Sequence, residues 1–141
     1  MKMIVRIVAL CAALFTLTEV ATASVVARVS LSSQRMTVSV DGVPMYSWAV
    51  STARRGYRTP VGYFHAQRLA RVWYSSKYDN APMPHSVFFL GGYAIHGTNQ
   101  VFNLGRPVSH GCIRLSPGNA AVFYSLVQQH GMGASTIIVG Y

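Results

Sequence analysis

Arg35-Met36-Thr37-Val38-Ser39-Val40-Asp41-Gly42-Val43-Pro44-Met45-Tyr46-Ser47-Trp48-Ala49-Val50 is the stretch that decides the fold. Residues 35–40 and 43–50 read as strands. Asp41-Gly42 between them is a strong two-residue hairpin signal, because such a turn needs positive φ angles that Asp and Gly tolerate. Asp41 is therefore read as a turn former, with little room for a catalytic role. Working outward, residues 25–31 alternate in strand fashion. Thr59-Pro60-Val61-Gly62-Tyr63-Phe64 leads into a further strand reaching Leu69, residues 87–90 and 93–96 form short strands around Gly91-Gly92, and residues 136–139 form a last strand. Residues 51–60 are polar and basic, a loop, and residues 75–84 are irregular. One helix stands out: Ser116 as N-cap, Pro117 at the first helical position, Ala120, Phe123, Tyr124 and Val127 at helical spacing, Gly131 as C-cap. The expected fold is mainly β, a mixed β-sandwich or partly closed sheet with one packed α-helix.

Residues 1–23 read as an export signal: Lys2 and Arg6 supply the basic start, residues 7–17 the apolar run and Ala21-Thr22-Ala23 the cleavage site. A retained anchor would need about 20 apolar residues, and Glu19 closes this run early. Leu10 before Cys11 speaks against lipoprotein processing. Residues 24–141 are then one domain, large enough for a hydrophobic core and with no further membrane-spanning run, expected to be soluble in the periplasm or cell envelope. The sequence carries a formal net charge of +9; beyond residue 23 Lys77 is the only lysine, and the only acids are Asp41 and Asp79. That balance suits an anionic partner, and the export signal favours an anionic envelope polymer over nucleic acid. A basic surface serving only solubility is the plainer alternative.

Cys112 is the only cysteine beyond the signal, so no internal disulfide can form. Ser109, His110 and Gly111 are poor neighbours for an inert core cysteine and good ones for a nucleophile. The thiolate is the reactive form, and an adjacent imidazolium or backbone N–H groups would lower the thiol pKa. Acyl transfer also needs a base and donors for the oxyanion. His96 or His110 can be the base. Gly111 permits an unusual backbone angle, so the Gly111 and Cys112 N–H groups can converge on one oxygen. With carboxylates scarce, Asn99 or Asn103 can orient the base. Arg114 can hold a substrate carboxylate or brace the loop. His96, His110 and Cys112 lack any recognised zinc spacing, so neither a metal nor another cofactor is expected.

His96-Gly97, a spacer, then Ser109-His110-Gly111-Cys112-Ile113-Arg114 resembles the active-site motif of the L,D-transpeptidase (YkuD-type) catalytic domain family, whose members work on bacterial peptidoglycan. Ser32-Ser33-Gln34-Arg35-Met36-Thr37-Val38, Thr59-Pro60-x-Gly62-x-Phe64, Met83-Pro84 and the helix extend the similarity over nearly all of residues 24–141. The resemblance implies Cys112 as nucleophile and His96 as base, oriented by the Gly97 carbonyl. It implies His110, Gly111 and Ser109 as supporting or oxyanion residues, and Arg114, Met83 and Pro84 in substrate binding. Tyr78 is a further candidate for the same cleft. His85 stands where the family commonly has an aromatic. Exchange of roles between His96 and His110 stays open, because hydrogen-bond reach fixes the base.

The implied activity is L,D-transpeptidation in cell-wall biogenesis. Cys112 would take an acyl group from a tetrapeptide stem and pass it to an amine, either a second stem or an envelope protein. Carbapenem-type inhibitors would acylate the same thiol. The alternatives are a thiol peptidoglycan hydrolase, with water as acceptor, and a non-catalytic wall-binding module.

Overall fold

The computed structural model describes residues 24–141; the expected export signal lies outside them. The strands are β1 (Val25–Ser30), β2 (Arg35–Val40), β3 (Val43–Ala49), β4 (Gly62–His65), β5 (Arg68–Ala70), β6 (Ser86–Leu90), β7 (Tyr93–Gly97), β8 (Ile113–Leu115) and β9 (Ser135–Gly140). Helix α1 (Pro117–His130) lies between β8 and β9 in sequence. One sheet has the order β3-β2-β1-β9-β4, the other β5-β6-β7-β8. Both are mixed, since β1–β9 and β7–β8 pair in parallel and the remaining pairs are antiparallel. Among the described residues no helix is long and apolar enough to cross a membrane.

The β2–β3 hairpin forms as its sequence dictates. Asp41 and Gly42 take φ of 51° and 78°, as a type I′ turn requires. Pro44 is tolerated because β3 is an edge strand. The register shifts at Val38/Ser39, which face Tyr46 and Pro44, so Met45 is the extra residue of a bulge. Helix α1 begins where Ser116 Oγ accepts the Asn119 N–H at 3.2 Å and ends at Gly131, φ 94°.

One expectation needs correcting. The segment from Thr59, expected to lead into one strand reaching Leu69, holds two strands in different sheets. The Ala66 N–H donates to Ser135 O at 3.0 Å in the first sheet, and the next amide, Gln67, donates to Phe88 O at 2.8 Å in the second. The chain changes sheets at that peptide, which alternation alone does not reveal. Ile113–Leu115, not singled out as an element in the sequence, is a strand whose place is fixed by long-range pairing and not by its own three residues.

Val25, Ala27, Met36 and Val38 of the first sheet, Val87, Phe89, Ile95 and Ile113 of the second, and Phe123 and Val127 of α1 form one buried core. Each large apolar side chain there contributes roughly 1.5–3 kcal/mol by leaving water. Strand residues alternate between faces. Phe88 and Ala94 therefore point to the opposite side, where Met83, Trp73 and Cys112 pack with them. That second face carries the candidate site.

Candidate active site

Parallel pairing of β7 and β8 brings the motif together. It sets Ile95 opposite Ile113 and His96 opposite Arg114. Cys112, one residue before β8, falls beside Ala94 on the face that His96 shares. Spacings of about 4.8 Å between strands and about 6.6 Å for two residues along one place the His96 and Cys112 Cα atoms roughly 8 Å apart on the diagonal. Both side chains line a cleft of about 830 Å³.

His96 is only 5% exposed, and its Nδ1 lies 2.7 Å from Gly97 O. A carbonyl oxygen can only accept, so Nδ1 carries the proton and Nε2 is left with its lone pair. Burial lowers the His96 pKa to about 4; the Gly97 hydrogen bond opposes this and the Arg114 charge adds to it. Burial pushes the Cys112 thiol up from its ordinary value, against the Ala94 amide and the Arg114 charge, which favour the thiolate. The thiol makes a long contact, 3.8 Å, to Gly92 O, an acceptor that suits S–H and not S⁻. Both shifts favour the neutral forms of the imidazole and the thiol. Adjacent donors can lower a thiol pKa, but at Cys112 burial outweighs them.

The loop holding Cys112 is tied from several sides. Ser109 Oγ accepts the Gly111 N–H at 3.0 Å and donates to Cys112 O at 2.6 Å. Thr59 Oγ1 donates to Gly111 O at 2.9 Å and accepts the Ala53 N–H at 3.0 Å. Backbone bonds from Ser51 to Arg114 and from Ser109 to Thr52 fasten the residue 51–53 segment, expected to be a free loop, along the motif. Gly111 has φ 138°, and a Cβ there would lie 2.6 Å from Tyr93 Cε1 and 2.9 Å from Arg58 O. Glycine is therefore required on two counts. Because the Gly111 N–H is directed at Ser109 Oγ, it does not join the Cys112 N–H on a common oxygen as expected; its place is inside the loop.

His110 lines the cleft, stacked on Tyr78 with centroids 4.0 Å apart and planes within 7°, and Tyr57 meets it edge-on at 4.8 Å. Its pKa is lowered, by desolvation first and then by the Arg54 and Arg114 charges. Tyr78 sits at the tip of a flap whose legs are joined by Met83 N–H to Trp73 O, 2.8 Å, and His85 N–H to Arg71 O, 2.9 Å. Met83 lines the cleft, buried against Phe88 and Ala94. Pro84 is corrected: the cleft wall contains Met83 and Pro82 but not Pro84, whose carbonyl accepts the Gly97 N–H at 2.9 Å. Asn99 lines the cleft, while Asn103 Oδ1 accepts from Arg106, so neither amide replaces the Gly97 carbonyl at His96. Arg114 is half-buried in the cleft wall. Sequence reasoning gave no role to Thr59, Tyr93 or Thr52. The Thr59-Pro60-x-Gly62 spacing was a signal for the first, but its partner lies in a distant loop.

This mainly β domain sets a lone thiol and a carbonyl-oriented histidine in one cleft at a pair of adjacent parallel strands. The chain belongs to the L,D-transpeptidase (YkuD-type) catalytic domain family, whose model matches residues 24–139. L,D-transpeptidase 1 of Mycobacterium tuberculosis is 33% identical over 112 residues, covering 70% of this chain and 45% of that protein. An L,D-transpeptidase from Mycobacterium smegmatis superposes with a TM-score of 0.75 at 30% identity, covering 84% of this chain and 59% of the other. An L,D-transpeptidase solved in complex with imipenem gives 0.74 at 28% identity, with 84% and 59% covered. The chain thus spans about half the length of these relatives.

Proposed function

We propose that this protein is an exported peptidoglycan L,D-transpeptidase that uses Cys112 as its nucleophile. The observation that carries the reading is the shared face of β7 and β8, with His96 and Cys112 one register diagonal apart and lining one cleft. Substrate arrival triggers proton transfer from Sγ to His96 Nε2 as sulfur attacks the carbonyl between the L-centre residue of a tetrapeptide stem and its terminal D-amino acid. The Gly97 carbonyl steadies the imidazolium that forms transiently. That imidazolium returns the proton to the departing amine, the C–N bond breaks, and a thioester remains. His96 then takes a proton from the acceptor amine as its nitrogen attacks the thioester, and Cys112 leaves as the thiol.

Because thiol and imidazole start neutral, the nucleophile is generated in the reaction and not stored. Arg114, opposite His96, and Tyr78 on the flap contact the stem. No cofactor enters these steps. The acceptor is a second stem or an envelope-protein amine, and the site of action is the cell envelope. Carbapenems acylate the same thiol, a proposal supported by the relative's complex with imipenem.

The test is incubation of wild type and Cys112→Ala with a disaccharide-tetrapeptide, with and without a second stem. Release of the terminal D-amino acid together with a crosslinked dimer, both lost in Cys112→Ala, is expected. Release without dimer in either condition would move the reading to a hydrolase. No release, with wall binding intact in both proteins, would make it a binding module.

A further inference from the structure

We infer that Arg68 forms a carboxylate-reading subsite of the cleft, selecting stem peptides with a free carboxylate over their carboxamide counterparts. The inference rests on the peptidoglycan reading above and adds a specificity to it.

The sheet register places Arg68 in line with the thiol. Arg68 pairs with Phe88 across β5 and β6, Phe88 pairs with Ala94 across β6 and β7, and Ala94 lies beside Cys112. Phe88, Ala94 and Cys112 pack together on one face. Three strand spacings of about 4.8 Å put the Arg68 and Cys112 backbones roughly 14 Å apart. The guanidinium is drawn inward from that distance: its Cζ lies 3.9 Å from the Phe88 ring centroid and 4.4 Å from that of Trp73. The two rings themselves meet edge-on at 5.5 Å. Between Phe88 and Cys112 the row holds only the methyl group of Ala94, so a floor runs from guanidinium to thiol.

Aromatic contact fixes the guanidinium without using its in-plane N–H fork. Among the described residues no side-chain carboxylate uses it either. Asp41 sits in the β2–β3 turn, accepting the Ser24 N–H at 2.7 Å, and Asp79 belongs to the flap tip, where its charge acts on His110. Among the described residues Arg68 has no ion-pair partner, yet it lines the same cleft as Cys112 and His96. A held, forked, unpaired cation in a substrate cleft is built to receive a planar anion. A carboxylate accepts two parallel N–H bonds, whereas a carboxamide turns one N–H against the fork. The guanidinium sits over Phe88, two strand spacings or about 10 Å from the Cys112 backbone, and an extended chain advances about 3.3 Å per residue, so it reads a group two to three residues, or one long side chain, from the attacked carbonyl.

The experiment compares two tetrapeptide stems, one with its carboxylates free and one with every carboxyl except the terminal one converted to carboxamide. Release of the terminal D-amino acid is followed for wild type, Arg68→Gln and Arg68→Lys. Wild type is expected to favour the free-carboxylate stem by about tenfold or more in kcat/KM, carried by KM. Arg68→Gln should reduce that preference below about threefold, and Arg68→Lys should keep part of it. A role limited to packing Trp73 and Phe88 would lower turnover of both stems alike and leave the ratio unchanged, overturning the inference. Equal wild-type turnover of the two stems also overturns it, with the transpeptidase reading intact, and needs no variant to fold. No turnover of either stem overturns both.

Discussion

His96 and Arg114 face each other across the parallel β7–β8 pair, and the guanidinium adds to burial in keeping the imidazole unprotonated. This couples the site to stability. An unfolded histidine titrates near 6.5, whereas folded His96 titrates at about 4. Between those values the unfolded chain binds the extra proton, so stability from this group is complete above the unfolded pKa and falls as pH drops toward the folded one. The whole effect is about 3 kcal/mol. Urea unfolding at pH 7.5 and at pH 4 should show it, with a smaller difference in His96→Gln. Equal pH sensitivity in the variant would contradict the assignment.

The neutral resting pair predicts a slow thiol. Alkylation of Cys112 by iodoacetamide should be weak at pH 7 and climb only above the ordinary thiol range, because burial raises this pKa. A reactivity plateau already present below pH 7 would reveal a preformed thiolate–imidazolium pair and contradict the mechanism.

Gly111→Ala should be severe. Its φ of 138° and the 2.6 Å approach to Tyr93 Cε1 leave no room for a methyl group. The backbone conformation alone costs about 1–3 kcal/mol, and the clash adds to it. Gly97→Ala meets only 3.2–3.3 Å contacts with Pro84, Ala120 and Pro117. It should lower the thermal midpoint less, an ordering that calorimetry of the two variants checks.

Ser109→Ala removes the acceptor of the Gly111 N–H and the donor to Cys112 O together. A loss of about 1–3 kcal/mol is expected from those buried partners. Turnover should fall mainly in kcat, since the change moves the thiol and not the substrate contacts. A pure rise in KM would contradict this role.

The part of the family motif around Cys112 lies in contiguous residues 109–114 and was legible at once, as were the Asp41-Gly42 turn and the capped helix, whose signals are local. What stayed hidden depends on pairing between distant segments. Ile113–Leu115 is too short to show a period, and the sheet change at Ala66–Gln67 is set by partners at Ser135 and Phe88. Pro84 was placed in the cleft by the resemblance of Met83-Pro84 to the family's segment, but the chain turns at Pro84 and its carbonyl accepts the Gly97 N–H instead. The raised thiol pKa was not legible for a related reason: the sequence shows neighbouring donors and not the burial that outweighs them.

The most direct test of the central claim is peptide-level mass spectrometry of wild-type protein quenched in acid during turnover of a tetrapeptide stem. A stem acyl group, lacking the terminal D-amino acid and bound to Cys112, is the predicted result. Released D-amino acid with Cys112 unmodified at every quench time, and equal release by Cys112→Ala, would contradict the account.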